Sequence, residues 1–126
     1  MKKQIIHTNA APAALGPYSQ AVRVGGTIYI SGQTPLDPST MELVSGGIDA
    51  QAQQVFENLS AIARAAESEL AHAVKLTIYL TDLDNFQSVN KVMLNYFEEP
   101  FPARVTVGVA SLPKAAAVEI DAILVV

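Results

Sequence analysis

The sequence contains no cysteine. It can therefore form no disulfide, no thiolate metal site and no cysteine nucleophile. Histidine is almost as scarce: the two residues, His7 and His72, are far apart, and no histidine-rich metal motif is present. Both read as surface or strand-end residues rather than catalysts. Charge is sparse as well, with 16% of residues ionisable against roughly 25% in an average soluble domain. The eight Lys and Arg are scattered among twelve Asp and Glu, for a net charge of −4. A basic stripe of the kind that nucleic-acid binders carry is missing, which disfavours general RNA affinity. No apolar run approaches the ~18 residues that a membrane helix needs. Lys2 and Lys3 lack a following apolar stretch, so no secretory signal is expected. The expected compartment is the cytoplasm, with no membrane or nucleic-acid partner.

What is abundant is apolar side chain. Half of the 126 residues are hydrophobic, more than a small monomer needs, because a small domain has much surface to cover with polar groups. The excess points to burial between subunits. The length suits a single domain spanning residues 1–126, and neither an internal repeat nor a linker interrupts it.

Ala10 to Pro17 is rich in Ala, Pro and Gly and reads as a loop. Ala21 to Val24 and Thr27 to Ser31 are β-rich runs joined by Gly25-Gly26, a pairing that predicts a hairpin. From Ile48 to Ala66 the apolar period lengthens: Ile48, Ala52, Val55, Leu59, Ile62 and Ala66 mark an amphipathic helix. Ala73 to Leu80 alternates as a strand, with Val74, Leu76, Ile78 and Leu80 on one side and Lys75, Thr77 and Tyr79 on the other. A second helix is expected from about Leu83 to Phe97, with Phe86, Val89, Met93 and Phe97 on one face and Pro100 beyond its end. Strands at Ala103 to Val109 and Ala117 to Val126 follow, and an extra one is possible at Lys3 to His7. The order predicts an α+β fold with both helices on one face of a mixed sheet. The other face is expected to carry Tyr79, Ile123 and Val125 with Lys75, Arg104, Glu119 and Asp121. Such a surface is too apolar for water and too polar for a monomer core, which favours covering by other subunits.

Few residues offer chemistry. Arg104 opens an otherwise apolar strand, and its planar guanidinium matches a carboxylate bidentately at any working pH. Read structurally, it pairs with Glu119 or Asp121; read functionally, it anchors an anion. Glu119 lies in a run of apolar residues, where a carboxylate needs a partner or a role. Burial would raise its pKa towards values useful in acid–base chemistry, and a nearby arginine would lower it. Asp121, on the same face, competes for that role. The loops Gly16-Pro17-Tyr18-Ser19-Gln20 and Ser31-Gly32-Gln33 can meet at one end of the hairpin, and Gly32 would let backbone approach a ligand.

Gly16-Pro17-Tyr18-Ser19-Gln20-Ala21 and Ile30-Ser31-Gly32-Gln33 resemble the N-terminal signature of the Rid (YjgF) family. Pro102-Ala103-Arg104, Leu112-Pro113-Lys114 and Val118-Glu119-Ile120 resemble its C-terminal signature. Gln53 to Leu59, Val74 to Asp82, Phe86 and Asn90 are also similar to family sequence, so the resemblance covers nearly the whole chain. It implies a chorismate-mutase-like α+β fold, assembled as a homotrimer with ligand clefts between subunits, and neither cofactor nor metal. It further implies hydrolysis of reactive 2-imino acids and enamines (2-aminoacrylate, 2-iminopropanoate, 2-iminobutanoate) to 2-keto acids and ammonia, downstream of pyridoxal-phosphate dehydratases. Arg104 would hold the substrate carboxylate and Glu119 would position water or shuttle its proton. Tyr18, Ser31, Gly32 and Asn90 would line the cleft. Alternatives are a non-catalytic keto-acid sensor, an endoribonuclease or translation inhibitor, and a chaperone-like surface. Four positions depart from the pattern. Glu67 stands where a Gly is usual, so either the helix runs on or a Cβ is carried in left-handed backbone at roughly 1 kcal/mol. Val105 and Thr106 replace a Ser or Thr followed in many members by Cys, and Ala115 replaces a common Gly.

Overall fold

The computed structural model describes residues 2–126. Alternation and turn chemistry produce strands β1 (Lys3–Ile6), β2 (Ala21–Val24), β3 (Thr27–Gln33), β4 (Ala73–Leu80), β5 (Ala103–Gly108) and β6 (Val118–Val125). The helices are α1 (Gly47–Ala65) and α2 (Phe86–Met93). One six-stranded sheet runs in the order β1-β2-β3-β6-β4-β5. Only β4 and β5 run parallel; the other neighbours are antiparallel. The mixed α+β architecture and the N-terminal strand are as the sequence implies.

One face of the sheet is apolar across β3, β6 and β4. Ile28 and Ile30 of β3 lie across from Leu124 and Ala122 of β6, and on the β4 side Leu124, Ala122 and Ile120 pair with Ala73, Leu76 and Ile78. Ala52, Val55, Phe56, Leu59 and Ile62 of α1 bury into the same cluster, as do Val89, Val92 and Met93 of α2. Both helices therefore cover this face. Phe56 stacks on Tyr96 at 5.1 Å between ring centroids and meets Phe97 edge-on at 5.9 Å. Those contacts tie α1 to the chain leaving α2.

The Gly25-Gly26 hairpin forms, but its two glycines serve different ends. Gly25 takes the left-handed backbone of the turn (φ +58°). A Cβ on Gly26 would lie 2.8 Å from the carbonyl oxygen of Val126, so close approach of the last strand excludes one there.

Three local expectations are corrected. The second helix is shorter than the periodicity suggests. A 3₁₀ turn, Leu83–Asn85, precedes it, capped where Asp84 N–H donates to the Asp82 carboxylate at 2.9 Å. Beyond Met93 the chain leaves in turns, although Phe97 still reaches the core. Val74 does not share the buried side of β4. The register against β6 slips between Ala73 and Lys75, and this bulge turns Val74 outward, 46% exposed. Arg104 lies on the helix-covered face, not the open one. β5 pairs with β4 in parallel, Arg104 sits opposite buried Leu76, and Val105 and Val107 are left exposed on the far side.

α1 ends in a Schellman motif: Ser68 N–H reaches Ala63 O and Glu67 N–H reaches Arg64 O, both at 2.9 Å. Glu67 carries the required left-handed conformation at φ +59°, so the helix stops here rather than running on. Replacing Glu67→Gly is expected to raise unfolding free energy by about 1 kcal/mol, measured by urea denaturation.

Candidate functional site

Glu119 projects from β6 on the open face and is partly buried. Its neighbours across β4 and β3 explain its position. Tyr79 is its partner on β4. On the β3 side the register slips between Ile30 and Gln33, so Ser31 and Gly32 bulge away from the ladder beside it. A Cβ on Gly32 would overlap the Glu119 carboxylate and lie 3.0 Å from its Cδ. The glycine therefore makes room for the carboxylate of its own chain. Burial first, and the nearby negative charge of Asp121 second, push the Glu119 carboxyl above its ordinary pKa. The Asp121 carboxylate accepts a hydrogen bond from the Tyr79 hydroxyl at 3.0 Å, which gives it a structural partner on β4. Burial, then the hydrogen bond to Asp121, raises the Tyr79 pKa in turn.

Tyr18, Gly32 and Glu119 line one cleft of about 380 Å³, between the Pro12–Tyr18 loop, the segment after β3 and the Pro113-Lys114 turn. Ser31 stands beside it, its hydroxyl donating to Ser19 O at 2.6 Å. That bond holds the two signature loops together, so one role of Ser31 is architectural.

Arg104 and Asn90 line a different cleft, of about 320 Å³, with Met93, Phe101 and Pro102. The guanidinium donates from Nη1 to Asn90 Oδ1 at 2.5 Å, lies 3.7 Å from Met93 Sδ, and stacks 5.0 Å above the Phe86 ring. An amide, a thioether and a ring face orient the fork, and none of them is anionic. The structural reading, an ion pair with Glu119 or Asp121, is excluded within the chain, since those carboxylates occupy the opposite face of the sheet. Thr106, next inward on the same face of β5, has a buried hydroxyl with no partner.

Within one chain the six residues singled out from the sequence thus form two groups. Tyr18, Ser31, Gly32 and Glu119 gather at one cleft, Asn90 and Arg104 at the other. Two residues named above without a role at the site also shape the clefts. Gln20, 2% exposed, clamps the Pro12 loop by accepting from Thr8 N–H at 2.7 Å and donating to Pro12 O at 2.8 Å. Phe86 read only as core, yet it also carries the guanidinium. An uncharged polar residue inside an otherwise recognisable loop was the available clue for Gln20. Among the described residues no cluster of His, Asp or Glu is arranged to hold a metal ion, and no helix is long and apolar enough to cross a membrane.

These features define a mixed α+β protein with an uncompensated arginine in one cleft and a carboxyl of raised pKa in another. Residues 8–126 match the family described as Endoribonuclease L-PSP, and the chain belongs to that family, the Rid (YjgF) family of the sequence resemblance. It is 48% identical to the 2-iminobutanoate/2-iminopropanoate deaminase of Dermatophagoides farinae, over 98% of this chain and 97% of that protein. The fold is similar to RidA from an Antarctic Psychrobacter, with a TM-score of 0.94 at 54% identity, covering 98% of this chain and 99% of that one. It is also similar to Escherichia coli TdcF with bound serine, with a TM-score of 0.92 at 40% identity over 98% of both chains.

Because Gly32 is outside the left-handed region and its obstacle is the tip of a flexible side chain, Gly32→Ala is expected to fold within about 0.5 kcal/mol of the parent. A crystal structure of the variant should show the Glu119 carboxylate swung off the strand.

Proposed function

We propose that the chain hydrolyses reactive 2-imino acids, including 2-iminopropanoate and 2-iminobutanoate, to 2-keto acids and ammonia. The observation that carries this reading is Arg104, a guanidinium oriented by neutral partners and open to a cleft. Such a group awaits a carboxylate. Relatives named as 2-imino acid deaminases, at 46–48% identity, support the same chemistry.

The functional unit in this proposal is a homotrimer in which Arg104 of one subunit faces the Glu119 cleft of the next. Two features support assembly. The halves of the site are separated within one chain, and the open face bears Tyr29, Val105, Val107 and Val125 exposed. The threefold number comes from the family resemblance. In the joined site Arg104 grips the substrate carboxylate and fixes C2 beside a water. Glu119, as carboxylate, takes a proton from that water as its oxygen bonds to C2. Tyr18 and Ser31 flank the adduct, and Asn90 keeps Arg104 in register. Return of the proton to nitrogen and cleavage of the C–N bond release ammonia and leave the keto group. The balance is one iminium and one water to one 2-keto acid and one ammonium, so water is the only co-reactant. In this proposal dehydratases that use pyridoxal phosphate supply such imines through enamines, and the reaction runs in the cytoplasm.

With imine generated by a threonine dehydratase and trapped competitively by semicarbazide, wild type should accelerate keto-acid formation. Arg104→Ala should lower kcat/KM by roughly 100-fold, the scale of losing a bidentate charged contact of ~3 kcal/mol. Equal rates for the two proteins would refute the assignment, and RNA cleavage abolished by the same substitution would move it to nuclease chemistry. The pH profile follows from the ionisation of Glu119. Its carboxylate form is lost as pH falls through a pKa that two opposing influences set: burial within the chain raises it, and the guanidinium of the neighbouring subunit lowers it. Wild-type kcat/KM should fall on that acidic limb, and Glu119→Gln should be slower and lack the limb.

A further inference from the structure

We propose that Asp121, tethered by the Tyr79 hydroxyl, is a positioning residue for the reaction: its negative charge keeps Glu119 a competent base when the arginine of a second subunit stands beside it. The proposal rests on the deaminase reading above, in which Glu119 takes a proton from water within reach of Arg104.

That reading sets two demands on one carboxylate. Arg104 has to be close enough to fix the substrate, and a guanidinium at that range favours the ionised form of a neighbouring acid. An acid held ionised in this way accepts a proton poorly, since the strength of a general base follows its pKa. A second negative charge, near Glu119 and away from the substrate, offsets that loss.

Strand register supplies such a charge. Glu119 and Asp121 are alternate residues of β6 and point to the same face, about 7 Å apart along the strand. Both are half-buried, so their interaction is screened less than on an open surface. On β4, Tyr79 pairs with Glu119 and Thr77 with Asp121. The tyrosine therefore reaches diagonally, its hydroxyl donating to Asp121 Oδ2 at 3.0 Å. Burial first, then the hydrogen bond to Asp121 and the charges of Asp121 and Glu119, raise the Tyr79 pKa, so the phenol stays a donor.

The remaining polar groups around Glu119 are engaged or distant. The β3 bulge brings Ser31, whose hydroxyl donates to Ser19 O, and the loop before β2 brings the Tyr18 phenol. Lys114, in the turn before β6, donates to Met41 O at 3.2 Å. The cation of β4 is Lys75, four residues from Tyr79 and opposite Ile123. Within the chain, burial and then Asp121 are what move the Glu119 pKa, both upward.

The test is the pH dependence of kcat/KM for wild type, Asp121→Asn and Tyr79→Phe, with imine from a threonine dehydratase and semicarbazide as the competing trap. Asparagine keeps an oxygen to accept from Tyr79 and removes only the charge. The acidic limb of Asp121→Asn should move to lower pH by about one pH unit, the scale of a unit charge about 7 Å away in a partly buried setting. Its plateau should fall about three-fold, because the base is weaker. Tyr79→Phe removes the tether and retains the charge, so its limb should stay at or above the wild-type position. An NMR titration of the Glu119 carboxyl carbon, which needs no turnover, should show the same downward step in Asp121→Asn. A limb and titration unmoved by Asp121→Asn would overturn the proposal. Equal downward shifts in both variants would do the same, marking a contact that only packs β4 against β6. A limb lost in Asp121→Asn and kept in Glu119→Gln would make Asp121 the base itself and overturn it as well. Should wild type accelerate no imine, the deaminase reading falls and this proposal with it.

Discussion

Parallel pairing of β4 with β5 sets the positions of almost everything that matters for chemistry. Two parallel neighbours cannot be joined by a tight turn; the chain must cross over the sheet and return. Here the crossover is α2 with its flanking turns, and it lands on the face that α1 already covers. The in-register pairing of Arg104 with Leu76 then sends the guanidinium beneath α2, where Asn90, Met93 and Phe86 meet it. β6 pairs with the other edge of β4, and its register sets Glu119 beside Tyr79, on the opposite face from Leu76 and Arg104. Separation of the two ionisable groups within one chain is therefore a property of strand register.

Buried amides do the corresponding work for the loops. The cleft beside Glu119 is made from segments that have no ladder of their own, and their backbone groups still require partners. Gln20 satisfies the Thr8–Pro12 stretch, Asn58 the stretch at Thr34–Leu36, and Gln51 accepts from Ala117 N–H at 2.8 Å. Each such bond contributes about 1 kcal/mol net, but leaving the buried group unpaired costs about 1–3 kcal/mol. The asymmetry explains how loops on the surface of a small protein stay shaped without disulfides or metals.

The parts of this arrangement that sequence made legible are those governed by local periodicity. β6 alternates without a break, the first hairpin has its glycines, and α1 buries Ala52, Val55, Leu59 and Ile62 as their spacing requires. The parts that escaped depend on neighbours. Val74 is apolar and in phase with Leu76, and only the extra residue relative to β6 turns it outward. With Arg104 expected on the open face, Val105 and Val107 looked like the buried side of β5. The opposite side proved to be covered, because α2 lies over Arg104 and Thr106, and an edge strand leaves its other face to whatever docks there. Residue types at the site were recognisable one by one. Their division into two groups was not, since nothing in the spacing of Tyr18, Asn90, Arg104 and Glu119 encodes which face of the sheet each occupies.

The sheet is open at both ends, and an unpaired strand edge is a template on which further strands can add without limit. β1 answers this by being short, four residues with Lys3, Gln4 and Ile5 exposed, which offers little length for pairing and a charge that resists a dry contact. β5, at the far edge, is likewise short, and the arginine beneath α2 roots it to the helix layer. Association across the open face can close on itself, whereas association along the edges cannot. Blunted edges therefore disfavour growth into filaments by strand addition.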